Sequence, residues 1–238
     1  MKSLPLAIWI TTAAACTTNE DKLEYGWDDR RIVCSRTFDD LSHPAPWDEI
    51  TAQLAAAREH AAVTFLHAHD PDVSVSRAAI ERVLETADMN GLDYVTFPEL
   101  VPGPPRGAVA LAFDDTAIEG WSSIRGQLAA HGARATFFVT RLHLWTDDQI
   151  ALLAGLREDG HAIEAHSVDH RQPRAYVDER SAAAYLDEEV LPSIALLEER
   201  GFAVTSFAYP FGEDVPEIDD VLLERVGVIR VGPRTCPN

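Results

Sequence analysis

Short apolar runs alternate with amphipathic stretches of ten or more residues along most of this chain, and that alternation narrows the fold more than any other feature. The runs at 62–69, 94–97, 108–115, 135–139, 162–165, 204–208 and 228–231 read as strands, with a shorter one at 31–34. Residues 46–60, 76–90, 118–131, 147–158, 178–200 and 218–226 read as helices, the long one interrupted near Pro192. In 76–90, Ile80, Val83, Leu84 and Ala87 form one stripe, with Ser76 placed to cap the start and Gly91 to end it. Such alternation implies parallel βαβ units. Roughly six to eight of them in one domain make a barrel or near-barrel, with its active site at the C-terminal strand ends. At 238 residues the chain suits one α/β domain with a full core.

The formal net charge of −19 excludes nucleic acid and anionic membrane surfaces as natural ligands. An acidic coat for solubility is the simplest account of it, and a cationic substrate or product is the other. Residues 1–16 stand apart from the fold. Lys2 precedes an apolar run over 4–15, too short to span a bilayer, which ends in Ala13-Ala14-Ala15-Cys16. Small residues before a cysteine resemble a bacterial lipobox, which would lipidate Cys16; the same alanines fit an ordinary A-x-A cleavage site. Either way the protein is exported, with membrane contact only through that anchor. Residues 17–30 read as a tether. Cys34 and Cys236 remain near the two ends of the mature chain, and their spacing fits a disulfide or two unrelated thiols.

The chemistry gathers at strand ends. The run Ala108-Val109-Ala110-Leu111-Ala112-Phe113 closes on Asp114 and Asp115. Neighbours on a strand point to opposite faces, so one carboxylate can face a metal while the other takes a proton from water. His166 and His170 are four apart, a spacing that a helical turn would bring to one side. Two histidines and a carboxylate make a metal site with open positions. The 62–69 strand ends in His67 and His69, which share a face. A second Asp-Asp pair, Asp39-Asp40, lacks a proper strand before it and reads as a decoy for the metal pair.

These motifs resemble the polysaccharide deacetylases, the NodB-homology domain or carbohydrate esterase family 4. Ala112-Phe113-Asp114-Asp115 is similar to the family's TFDDG. The stretch from Gly160 to His170 is similar to GHEIGNHSxxH, and Tyr209-Pro210-Phe211-Gly212 to its R-x-P-x-G region. The resemblance implies Asp114 as general base and Asp115, His166 and His170 as ligands of Zn²⁺ or another divalent metal such as Co²⁺ or Ni²⁺. It also implies a sugar groove lined by Tyr209, Pro210, Phe211 and Trp47. The family's acid histidine belongs to a late L-x-L-H motif, which here precedes the Asp-Asp strand as Leu66-His67-Ala68-His69, so the acid is His69 or, second, His67. Asp39, Asp40 and Trp47 are similar to a loose form of the family's Asp-and-Trp motif. Thr116 replaces the glycine after the Asp pair, and Ala208 replaces the arginine that orients the base, a task for which Arg36 is the candidate substitute.

The order of these motifs implies a circular permutation, with 31–100 as the usual C-terminal part, 101–107 as joining linker and 108–238 as the usual N-terminal part. The strand at 228–231 should then lie beside 32–34, and a Cys34–Cys236 disulfide would close the gap. The implied function is metal-dependent removal of N-acetyl groups from a cell-wall or extracellular polysaccharide built on N-acetylglucosamine-type sugars. A carbohydrate-binding pseudoenzyme and an O-acetyl esterase using the same site are the alternatives.

Overall fold

The computed structural model describes residues 23–233 and 236; the candidate lipidation site Cys16, the leader and part of the tether lie outside them. The strands are β1 (Glu24–Tyr25), β2 (Ile32–Cys34), β3 (Arg36–Thr37), β4 (Val63–Ala68), β5 (Asp93–Tyr94), β6 (Ala108–Asp115), β7 (Ala135–Val139), β8 (Ala162–Ala165), β9 (Ser206–Ala208) and β10 (Val228–Val231). The helices are α1 (Trp47–Glu59), α2 (Arg77–Met89), α3 (Ile118–Ser123), α4 (Arg125–Ala130), α5 (Asp147–Glu158), α6 (Pro173–Glu179), α7 (Ala182–Tyr185), α8 (Leu191–Glu199) and α9 (Pro216–Arg225). The sheet runs β4-β6-β7-β8-β9-β10-β2, all parallel, with β1 antiparallel on β4 and β5 alongside β6. Cys34 ends the pairing of β2 with β10, and Arg36 begins that of β3 with β4, so one extended segment joins the sheet's two sides into a nearly closed barrel.

Alternation along each strand sorts the side chains into two sets. Val33, Val63, Phe65, Ala108, Ala110, Ala112, Phe138, Ala208 and Val228 fill the barrel, floored by Tyr25, Trp27, Phe97 and Leu100. The opposite parity, Leu66, Val109, Leu111, Phe113, Phe137, Ile163, Phe207 and Ile229, packs under the helices. Continuing the inner rows of β4, β6 and β10 upward by two residues gives His67, Asp114 and Arg230, and His166 stands two beyond the buried Glu164 of β8. The barrel's own parity therefore delivers a polar layer above an apolar one.

The expected 17–30 tether is part of the fold from Leu23 on, since β1 pairs with β4 and Tyr25 and Trp27 bury their rings in the barrel floor. Three further elements differ from the sequence expectation. The 94–97 run is a strand only to Tyr94, because Thr96 and Glu99 form a capping box around the 3₁₀ turn Phe97–Glu99, which carries Pro98. The 118–131 helix is two short ones meeting at Ile124. The 178–200 helix is α7 and α8 joined by a π turn, Leu186–Val190, with a separate α6 before them. Pro192 offers no N–H to the carbonyl four residues back, and the wider turn relieves that clash. Cys34 and Cys236 are disulfide-bonded, with Cα atoms 5.7 Å apart, 202 residues apart in sequence.

Candidate active site

Asp114 and Asp115 reach one cleft because the strand's alternation breaks between them. Asp114 keeps the inward parity of Ala112 and is 2% exposed. Asp115 should turn outward, but its backbone takes φ +87°, the left-handed side that reverses a side chain's aim. The positive φ thus falls on Asp115 itself, and Thr116 stands without strain where a glycine was expected.

The two histidines converge on Asp115 by a loop, which corrects the helical-turn expectation. Ser167 and His170 both have positive φ, and the ring centroids of His166 and His170 lie 4.9 Å apart. Asp115 Oδ1 is 3.1 Å from His170 Nε2 and 3.6 Å from His166 Nε2, yet it is buried with no aligned hydrogen bond. An orphaned carboxylate oxygen facing two ring nitrogens is the arrangement a divalent cation relieves. The second partners agree: His166 Nδ1 donates to Ala208 O at 2.7 Å, which leaves the Nε2 lone pair for the cleft. Burial holds the His166 pKa down at about 4, against the pull of Asp114 and Asp115, so its ring is neutral. The donor set fits a metal such as Zn²⁺.

That loop is tied from below. The Thr140 hydroxyl donates to Ser167 O, Arg141 N–H to Val168 O, and Ser167 Oγ accepts from His170 N–H. Glu189, 4% exposed, comes up from the π turn: its backbone carbonyl accepts Val168 N–H and its carboxylate accepts Asp169 N–H, both at 2.9 Å.

Arg230 answers the missing arginine. Its Nη1 and Nη2 donate to the two oxygens of Asp114 at 3.0 and 2.6 Å, with 4% and 2% of the side chains exposed. Burial alone would raise the Asp114 pKa, but Arg230, with a smaller pull from His69, outweighs it and holds the carboxyl ionised well below the usual range. Arg36 is occupied elsewhere, paired with Glu49 and Gln53. The signal for Arg230 was present in the sequence: a lone charge at the inward parity of an apolar strand, Val228-Ile229-Arg230-Val231.

The other side of the cleft holds His67 and His69. Asp39 accepts from His69 twice, at the backbone N–H (3.1 Å) and at ring Nδ1. Burial opposes the charge on that ring, but the bond to Asp39 and the field of Asp114 raise its pKa to about 9. His69 is therefore an imidazolium at neutral pH. His67 is the reverse, pushed down to about 3 by burial and by Arg230, and so cannot carry a proton to a leaving group. Asp40 caps α2 instead, accepting from Ser76 N–H and hydroxyl.

The cleft encloses about 1040 Å³ and is lined by both histidine pairs, Asp39, Asp114, Asp115, Arg230 and Phe211, with His43, Arg36 and Arg174 at its margin. Phe211 is 64% exposed against the His170 ring, centroids 4.7 Å apart. The rest of the expected groove lies elsewhere. Tyr209 shares the outward parity of Phe207, is fully buried, and donates to Asp219 on α9. Pro210 is buried beside it, and Trp47 packs on the outer core beneath Arg82. Gly212 is required where it stands, since a Cβ there would lie 2.6 Å from Gly232 Cα.

A family profile described as polysaccharide deacetylase matches residues 102–226, slightly more than half of the chain. No curated protein matches. Among solved structures, IcaB from Ammonifex degensii is 19% identical over 69% of this chain and 80% of its own, with a TM-score of 0.56. The BpsB deacetylase domain from Bordetella bronchiseptica is 15% identical over 64% and 83%, TM-score 0.49. A family 4 carbohydrate esterase from Streptomyces lividans, in complex with acetate, is 22% identical over 52% and 60%, TM-score 0.43. The IcaB likeness is one of fold.

Proposed function

The chain belongs to the polysaccharide deacetylase family, and from that premise we propose that it is an exported, metal-dependent hydrolase that removes N-acetyl groups from N-acetylglucosamine-type sugars of a cell-wall or extracellular polysaccharide. The observation that carries the reading is the pairing, across one cleft, of an orphaned Asp115 oxygen facing His166 and His170 with an imidazolium, His69, held charged by Asp39.

Asp115, His166 and His170 would hold the metal, Zn²⁺ by the chemistry of the donors. When bound, the metal supplies a Lewis acid that acidifies water and polarises the acetamide carbonyl. Asp114 takes the proton as water adds to the carbonyl carbon. Arg230 fixes the Asp114 carboxylate in the ionised, proton-accepting state and in one orientation. His69 then gives its proton to the departing nitrogen, so water and amide become acetate and a free amine. His67 cannot perform that step while neutral. Phe211 offers an apolar face for a sugar ring at the cleft rim.

The complete set of base, ligands and charged acid weighs against a pseudoenzyme, and Arg230 removes the main reason for one. The circular permutation is part of the same reading, supported by the parallel pairing of β10 with β2 and by a family match that begins only at residue 102. Lipidation at Cys16 is proposed from the sequence alone.

The test is acetate release from N-acetylglucosamine oligomers by metal-stripped protein before and after reloading with Zn²⁺ or Co²⁺. Reloading should restore release, and Asp114→Asn should lower it about 10²- to 10⁴-fold. No release from N-acetylated sugars with one equivalent of metal bound would refute the reading, and release from O-acetylated sugars only would replace it with the esterase.

A further inference from the structure

His67 stands on the floor of the cleft with no role in the scheme above. Its position follows from the fold: Val63 and Phe65 point into the barrel, His67 continues their row, and His69 extends it to the mouth. A ring nitrogen of His67, one of His69 and an oxygen of Asp114 lie within 4.8 Å of one another. The imidazole thus lies within reach of both the proposed base and the proposed acid.

Ser35 determines which face of the ring looks outward. It lies between β2 and β3, is 1% exposed, and its hydroxyl meets His67 Nδ1. A serine hydroxyl carries a proton that it can give to that nitrogen. A hydroxyl donating at Nδ1 places the ring proton on Nε2. The electrostatics agree, because the Asp114 carboxylate lies close by and its field attracts a ring N–H and repels a ring lone pair. The His67 ring stands edge-on to His69, centroids 5.7 Å apart.

We propose that His67 is a substrate-contacting residue whose Nε2–H, set by the Ser35 hydroxyl, donates a hydrogen bond to an oxygen of the acetylated sugar beside the acetamido nitrogen. The identity of that substrate rests on the deacetylase reading; the donor and its orientation do not. A neutral donor suits this place. It can grip a hydroxyl without adding a second cation that would compete with His69 for Asp114.

The test compares His67→Leu, His67→Gln and Ser35→Ala with the unaltered full chain, using N-acetylglucosamine oligomers for turnover and for calorimetric binding, and Zn²⁺ alone as the control ligand. Loss of one buried donor to a hydroxyl should lower kcat/KM for His67→Leu about 10- to 100-fold. His67→Gln, which retains an N–H, should recover part of that loss, and Ser35→Ala should fall between. Zn²⁺ affinity should be unchanged in all three. An undiminished kcat/KM in His67→Leu, a Gln variant no better than Leu, or a parallel fall in Zn²⁺ affinity would overturn the proposal. If the unaltered chain binds oligomer without releasing acetate, the deacetylase reading fails alone. Weaker binding by His67→Leu then still supports the contact, and equal binding overturns it. A chain that neither binds nor cleaves the oligomer overturns both.

Discussion

Each of the two histidine pairs of this cleft contains one ring whose state is set by what stands behind it, neutral at His166 and charged at His69. His166 and His170 sit on a loop after β8, with the rings turned toward an unsatisfied carboxylate oxygen. His67 and His69 sit along β4, each with its Nδ1 engaged, one by a hydroxyl and one by a carboxylate. What differs is the partner at the other nitrogen. A backbone carbonyl behind His166 leaves a neutral ring with its lone pair in the cleft; Asp39 behind His69 leaves a charged ring with a proton to give. The proposed assignment of ligand and acid therefore rests on what stands behind each ring.

The comparison breaks most sharply at His69. His69→Ala should lower acetate release about 10²- to 10⁴-fold and leave Zn²⁺ binding intact, as kinetics and calorimetry on one preparation would show. A matching loss of Zn²⁺ would move His69 to the other pair. Next in size is Arg230→Leu, which leaves the Asp114 carboxylate buried and alone. Removing one partner of a buried pair costs about 3–5 kcal/mol, to be read from denaturant unfolding at neutral pH, and Asp114 should then titrate at a higher pH. Glu189→Gln sharpens the metal side. It weakens the support of the His166–His170 loop, and Zn²⁺ affinity should fall about 10- to 100-fold while the His69 signal stays put.

The smallest effect is a shift in the pH profile. An acid must be protonated to act, so turnover should fall as pH rises through about 9, where His69 loses its proton. Asp39→Asn removes the bond that holds that proton and should move the fall to lower pH, toward the ordinary histidine value. An unmoved alkaline limb would detach His69 from the chemistry.

Much of this was legible in the sequence because strand parity is a rigid rule. Asp114, His166, His67 and His69 lie at the ends of apolar runs, and the β10–β2 pairing and Cys34–Cys236 bond came with the expected motif order. What escaped depended on backbone detail or on long-range contact. The positive φ values at Asp115, Ser167 and His170 leave no mark in residue type, so a helical turn looked adequate for the histidines. Arg230 and Asp114 are 116 positions apart, and only the closed ring brings them together. Tyr209 and Trp47 were placed by motif, whereas their burial is decided by parity and by the helix packed over them. Glu189 owes its place to a π turn that periodicity does not anticipate.

The most direct measurement is histidine-ring NMR on the full chain during titration with Zn²⁺, because His67, His69 and Asp114 also lie close enough to suggest a rival cation site. One equivalent should shift the ring signals of His166 and His170, and leave His69 doubly protonated and His67 neutral. A shift confined to His67 and His69, or loss of the His69 proton on metal binding, would contradict the division of labour between the two pairs.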